Sequence, residues 1–153
     1  MASGVPRGTL TILSVNVSTA KGTAKTPVAS IRVDEGGVVG DAHHGTPGRG
    51  VSLLDCASVE AMTREAGTEP IPAGAMGENL TCRFDGEPPS VGDLLRIGDL
   101  LLHVDRIGKE CHGDGCAIFR SVGRCVMPSE GVFCTVMKGG TVTAGMTGSV
   151  RTP

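Results

Sequence analysis

The chain has 153 residues, enough for one ordinary domain with its own core and too few for two catalytic domains. Fourteen Lys and Arg against 16 Asp and Glu give a formal net charge of -2, which removes any global electrostatic drive towards nucleic acid or an anionic membrane. Six cysteines, with neither a secretory leader nor a long apolar run, point to a reducing cytoplasm, where thiols serve as reactive groups or metal ligands more often than as disulfides.

There are 24 glycines, three Phe and no Trp or Tyr, so the core must be built from Val, Ile, Leu, Met and Ala. Glycines at this density mark tight turns and close backbone approaches, which favours short strands over a helical bundle. Residues 1–8 are expected to form a flexible N-terminus and residues 9–153 a single domain.

From Thr9 to Ser18 apolar and polar residues alternate, predicting a strand with a bulge near Leu13. Residues 19–27 read as a polar loop whose Lys21 and Lys25 either stay solvated or reach an anion. A strand around Ala29–Val33 leads into GDAHHG, which offers Asp41, His43 and His44 beside flexible backbone. An imidazole can bind metal, donate to an oxyanion or carry a proton, and Asp41 can orient one through its second nitrogen. On an extended segment the two histidines would face opposite ways; the alternative is a polar turn framed by glycines. Arg49 is a further anion contact with donors suited to phosphate.

Val51–Leu54 reads as a strand, and Asp55 as the cap of a helix whose mixed apolar face is Cys56, Val59, Ala61 and Met62, with Gly67 as its stop. Cys56 reads as packed. In GAMGENL, Glu78 and Asn79 either hydrogen-bond the edge of a heterocycle or hold neighbouring backbone. The segment LTCRFD predicts a strand containing Cys82. Gly92-Asp93 and Gly98-Asp99 each fit a hairpin turn, and residues 100–107 a strand that delivers Gly108 and Lys109 to a cysteine-rich stretch.

That stretch, His103–Met137, holds four of the six cysteines. Cys111 lies beside His112 and two residues after Lys109, and a nearby cation favours the thiolate, the better nucleophile and the better soft-metal ligand. Cys116 follows across HGDG, Cys125 lies behind Arg124, and Cys134 sits in an apolar alternation and is expected to pack. The spacings lack the paired Cys-x2-4-Cys units of structural zinc. A zinc site of Cys111, His112, Cys116 and Cys125 and a disulfide between Cys111 and Cys116 stay open as alternatives. The tail predicts strand, Gly139-Gly140 turn, strand, an arrangement that closes a small barrel or sheet. There is no P-loop, no GxGxxG after a strand, no HExxH and no GxSxG.

Taken together, SVNVS, VVGDAHHG, VSLLD, GAMGENL, VGDLLRIG, GKECH, GRCVMPSEGVF and KGGTVTAG resemble the MOSC family, named for the C-terminal domain of molybdenum cofactor sulfurases, in its small stand-alone bacterial form. The resemblance implies a mostly β fold, a small closed or partly closed barrel with one or two short helices, and a cleft for the molybdenum cofactor or a related metal–sulfur species. It assigns the family's sulfur-receiving or metal-ligating cysteine to Cys111, with Cys116 as the competing position. Asp41, His43, His44, Lys109 and Arg124 become candidates for the pterin phosphate or for steering, with Arg49 standing beside them as an anion contact, while Glu78 and Asn79 are candidates for the pocket edge. Gly145-Met146 departs from the Gly-Asp common in similar proteins and puts the closing turn in question. No pyridoxal-phosphate desulfurase domain accompanies these residues, so sulfur would come from a partner such as a cysteine desulfurase, or pass to a molybdoenzyme maturation partner.

The expected function is therefore molybdenum-cofactor binding or sulfur carriage through a reactive cysteine. Two alternatives stand beside it: a subunit of a molybdenum-dependent oxidoreductase served by a partner reductase, and a non-catalytic cofactor- or zinc-binding β-domain. A homodimer through a sheet edge is compatible with either.

Overall fold

Seven strands close into a barrel because nearly every one carries apolar residues at every second position. The computed structural model describes residues 4–21, 23–47, 50–67, 71–108 and 131–153. In chain order the strands are β1 (Pro6–Val17), β2 (Thr26–Val28), β3 (Ser30–Asp34), β4 (Gly37–Val38), β5 (Val51–Asp55), β6 (Leu80–Gly86), β7 (Leu94–Ile97), β8 (Leu100–Ile107), β9 (Val132–Lys138), β10 (Gly140–Thr143) and β11 (Thr147–Arg151). One helix, α1 (Cys56–Ala66), joins β5 to β6. The ring runs β1-β6-β5-β9-β8-β7-β11 and returns to β1; β2 adds to the free side of β1, and β10-β3-β4 form a separate small sheet.

The alternation is clearest in β8, where Leu100, Leu102 and Val104 are fully buried, and in β7, where Leu95 and Ile97 are. β1 carries the bulge its pattern predicts. Leu10 and Ile12 point inward, pairing with β6 slips between Ile12 and Ser14, and Val15 resumes the inward phase. The extra residue turns Leu13 and Ser14 to the outside of the barrel, where both line a cavity beside α1.

β5 and β6 are parallel, and a parallel pair needs a crossover, which α1 supplies. Asp55 caps the helix by accepting from the Ala57 N–H at 2.9 Å, and Gly67 ends it in the left-handed conformation, as the sequence predicts. Val59 and Met62 bury against Leu54, Met76 and Phe133, so β5 is covered on both faces. Ala61, expected on that face, is exposed.

Four expectations change. β1 begins at Pro6, inside the stretch expected to fray, because Arg7 is anchored to Asp93 at 2.9 Å and to Glu87 at 3.1 Å. Gly98-Asp99 makes the two-residue hairpin between β7 and β8, but Gly92-Asp93 is a turn before β7 with no strand on its other side. Gly139-Gly140 is not a hairpin either: β10 leaves β9 to pair with β3, and β11 closes the barrel against β1. A Cβ on Gly139 would lie 2.4 Å from the Val33 carbonyl oxygen, so this junction requires glycine. Met146 keeps the closing turn without an acid, its sulfur accepting from the Thr143 N–H at 3.2 Å.

Candidate functional site

Of the eight buried polar residues among those described, seven gather where β1 ends and β6 begins: Asn16, Lys25, Asp41, Ser52, Glu78, Asn79 and Thr81. Burying polar groups costs stability unless each finds a partner, so their pairing shows what this seam is for.

Asn16 interrupts the apolar run of β1 and makes the central links. Its side chain donates to the Glu78 carbonyl at 3.1 Å and to the Thr81 hydroxyl at 3.0 Å, and accepts from Ser14 at 2.7 Å. Asn79 faces it, donating to the Asn16 carbonyl at 3.2 Å and accepting from the Ser52 N–H at 3.1 Å. Asn79 thus ties β1 to β5, and the backbone-holding reading of this residue describes what is seen.

Asp41 is the anionic half of a buried ion pair. Lys25 Nζ stands 2.7 Å from Asp41 Oδ1, with the two side chains 1% and 0% exposed. Lys25 is therefore no solvated loop lysine. The Ser18 and His43 N–H groups also donate to Asp41, at 3.0 and 3.1 Å. Burial pushes the Asp41 carboxyl up, but the contacts from His43, Lys25 and Ser18 outweigh it and hold the group far below the usual carboxylate range.

Residues 41–45 form a turn, not a strand, so both histidines find acids. His43 Nδ1 lies 3.7 Å from Asp41 Oδ2, while His44 Nε2 turns away to Asp34 Oδ1 at 2.7 Å on the surface. The structure brings Asp41 and His43 together and sends His44 elsewhere.

Glu78 differs from Asp41. Its Oε2 accepts from the Thr81 hydroxyl at 2.7 Å, and its Oε1 is buried with no hydrogen-bond partner among the described residues. Burial pushes this carboxyl up. Thr81 and the nearby backbone amides of Glu78, Gly74 and Met76 pull the other way without reversing the shift. The side chain lines a cavity of about 280 Å³ between α1, the β1 bulge and residues 71–73.

The cysteines divide. Cys134 and Cys82 are fully buried, and desolvation pushes both thiols up; the half-buried Cys56 thiol is also raised, by burial first. Cys111, Cys116 and Cys125 lie outside the described residues, as do Lys109, His112, Arg124 and Arg49. Gly108 and Gly131 bracket that cysteine segment, the Gly108 N–H donating to the Gly131 carbonyl at 2.7 Å. Gly108 leaves the barrel where β8 finishes. Because β8 runs antiparallel to β1 around the ring, this is the opposite end from Asp41.

A MOSC domain model matches residues 40–147, more than half the chain. The chain belongs to the MOSC domain family. Its fold is that of other solved members of this architecture. The YuaD protein of Bacillus subtilis superposes with a TM-score of 0.76 at 16% identity, over 95% of this chain and 97% of that one. YiiM from Geobacillus stearothermophilus gives 0.69 at 21% identity, over 92% and 74%, and YiiM from Escherichia coli 0.63 at 21%, over 97% and 71%. A comparison with curated proteins finds no match.

MOSC membership raises the molybdenum cofactor, and the described part of this domain does not supply a metal site for it. No group of three His, Cys, Asp or Glu among the described residues is placed to hold a metal ion. Asp41 is committed to Lys25, and the three described thiols are shifted away from the thiolate a soft metal needs. Among the described residues no helix is long and apolar enough to cross a membrane. Reading the sequence alone missed Asn16, Ser52 and Thr81, and it named Lys25 as a cation able to reach an anion without naming Asp41 as that anion. A lone amide inside the VNV alternation of β1 was the one signal available for the seam.

Proposed function

We propose that this MOSC domain handles the molybdenum cofactor, or sulfur destined for it, through a thiolate at Cys111. The observation that carries the reading is the span of the family match: residues 40–147 enclose Cys111 and Cys116, while the three described cysteines are withdrawn from thiolate chemistry by burial. Lys109 and His112 flank Cys111 in sequence as cations that favour its ionised form, and Arg49 and Arg124 are the proposed phosphate contacts.

As a sulfur carrier, the Cys111 thiolate attacks the outer sulfur of a donor persulfide. One S–S bond forms as another breaks, the donor leaves as a thiolate, and no net oxidation occurs. The partners implied are a desulfurase-type donor and a molybdoenzyme or its maturation factor as acceptor.

The test is anaerobic purification from a host that makes the cofactor, followed by intact mass and by metal and pterin analysis of the wild type, Cys111→Ser and Cys116→Ser. Bound pterin, or the added mass of one sulfur atom, present in the wild type and lost only in Cys111→Ser is the expected result. Stoichiometric zinc that disappears with either cysteine, without pterin, would replace this reading with a structural metal site.

A further inference from the structure

We propose that Met146 is a redox-sensitive modification site: its thioether caps the turn that closes the barrel, and conversion to the sulfoxide by a peroxide releases that turn from β1. Nothing in this inference depends on the cofactor reading.

Two turns of this chain share one geometry and differ in their caps. Ser90-Val91-Gly92-Asp93 leads into β7, and Thr143-Ala144-Gly145-Met146 leads into β11. In each the third residue is a glycine in the left-handed region, with φ +96° at Gly92 and +94° at Gly145. Each turn clasps a neighbouring strand through a reciprocal pair of backbone bonds. The Gly92 N–H donates to the Val104 carbonyl at 2.8 Å and the Val104 N–H to the Asp93 carbonyl at 2.9 Å; Gly145 donates to Ile12 at 2.7 Å and Ile12 to Met146 at 2.8 Å. Both clasped residues stand at the edge of a bulge, Val104 in β8 and Ile12 in β1. The caps are where the twins part. The Ser90 N–H donates to Asp93 Oδ2 at 2.8 Å, a carboxylate that Arg7 also holds at 2.9 Å. The equivalent Thr143 N–H donates to the Met146 sulfur at 3.2 Å.

A thioether is a weak acceptor, and unlike a carboxylate it can be oxidised. A sulfur lone pair attacks the peroxide; the S–O bond forms as the O–O bond breaks, and two electrons pass from sulfur to the peroxide. The proton on the transferred oxygen goes to the leaving hydroxide, which departs as water. The new oxygen cannot enter the 3.2 Å gap, because a hydrogen-bonded oxygen needs about 2.7 to 3.2 Å of its own from the nitrogen. Turned away, it leaves a sulfur too electron-poor to accept, so Thr143 loses its cap in either orientation. Met146 is half-buried beside the exposed Ala144 and Gly145, whereas Met62 and Met76 are 4% and 1% exposed. Met137 is 59% exposed, but its side chain makes no hydrogen bond among the described residues. Release at Met146 also reaches the polar seam, since Ile12 begins the bulge whose far member, Ser14, donates to Asn16 at 2.7 Å.

The experiment treats the full chain with hydrogen peroxide and then with dithiothreitol, which returns disulfides and sulfenates to thiols and leaves methionine sulfoxide in place. Peptide mass spectrometry locates the added oxygen, and amide hydrogen exchange reads the turns. Met146 should oxidise before Met62 and Met76. Its oxidation should speed exchange at Ile12, Thr143 and Gly145 about tenfold, while Ser90, Gly92 and Val104 of the twin turn keep their rates. The two methionine sulfoxide reductases should restore the original rates. Met146→Asp, which copies the Asp93 cap, should keep the turn protected and remove its response to peroxide. Met146→Leu, which offers no acceptor, should exchange fast without any peroxide. Unchanged rates at the three amides in protein carrying Met146 sulfoxide would overturn the proposal, as would oxidation of Met62 and Met76 ahead of Met146. So would a folded Met146→Asp variant that responds to peroxide as the wild type does. If that variant does not fold, the comparison of the two turns in the oxidised wild type still decides.

Discussion

Asp41 and Glu78 are both buried acids in one polar seam, and they are treated in opposite ways. Asp41 has a lysine at 2.7 Å and two backbone donors; Glu78 has the Thr81 hydroxyl on Oε2 and no ion-pair partner among the described residues. A carboxylate surrounded by donors stays ionised and becomes part of the framework. A buried carboxyl with no cation beside it is pushed towards its protonated form. The Asp41 surroundings therefore favour the charged acid, and those of Glu78 the neutral one.

The largest effect should come from breaking the framework side. Lys25→Met leaves the Asp41 charge buried without its cation, and such a loss costs about 3 to 5 kcal/mol. Urea denaturation at neutral pH measures it; a loss below about 1 kcal/mol would mean that the backbone donors alone hold the carboxylate. Lys25→Met with Asp41→Asn should recover part of the loss, since the uncompensated charge is then gone.

Gly74 joins the two regions. Its carbonyl accepts from the Lys25 N–H at 2.7 Å, its φ is +84°, and a Cβ there would meet the Lys25 carbonyl oxygen at 2.4 Å. Gly74→Ala should cost about 2 kcal/mol or more, through backbone strain and the displaced loop. Its effect should add less than fully to that of Lys25→Met, because displacing the Lys25 backbone also moves Nζ away from Asp41. Additive losses in a double-mutant cycle would separate the regions.

Thr81→Val sharpens the Glu78 side alone. The hydroxyl donates to Glu78 and accepts from Asn16, so its loss strands one group in each direction, at about 1 to 2 kcal/mol. Amide shifts should spread to Asn16 and Glu78 and leave Asp41 unmoved.

Local features of this fold were legible and distant ones were not. The β1 bulge shows in the sequence because the apolar phase slips by one residue between Ile12 and Val15, and the β7–β8 hairpin shows because Gly98-Asp99 suits a two-residue turn. The α1 cap and stop are likewise local. By contrast, β10 pairs with β3 across more than a hundred residues, where a Gly-Gly pair suggested a neighbour. The Lys25–Asp41 pair was hidden because a lysine in a polar loop is usually solvated, and only the packed fold withdraws it from water. Glu78 was marked as a candidate by its residue type, but nothing in GAMGENL distinguishes an exposed acid from one buried without a cation. That difference depends on α1 and the β1 bulge meeting around it.

Glu78→Gln carries the smallest net effect and the most informative sign. Asp41 is depressed on folding, so its contribution is present above the ordinary carboxylate range and is lost only as pH falls through the folded value. Glu78 is raised, so the folded state holds its proton more tightly than the unfolded chain. Its contribution is complete below the ordinary glutamate range and is lost as pH rises through the folded value. Glutamine removes that dependence. Relative to wild type, Glu78→Gln should therefore gain stability as pH rises from the ordinary glutamate range through the raised folded value, while Asp41→Asn should be less stable than wild type across the same range. A Glu78→Gln difference that stays flat across this range would mean that the carboxyl ionises as freely in the fold as outside it.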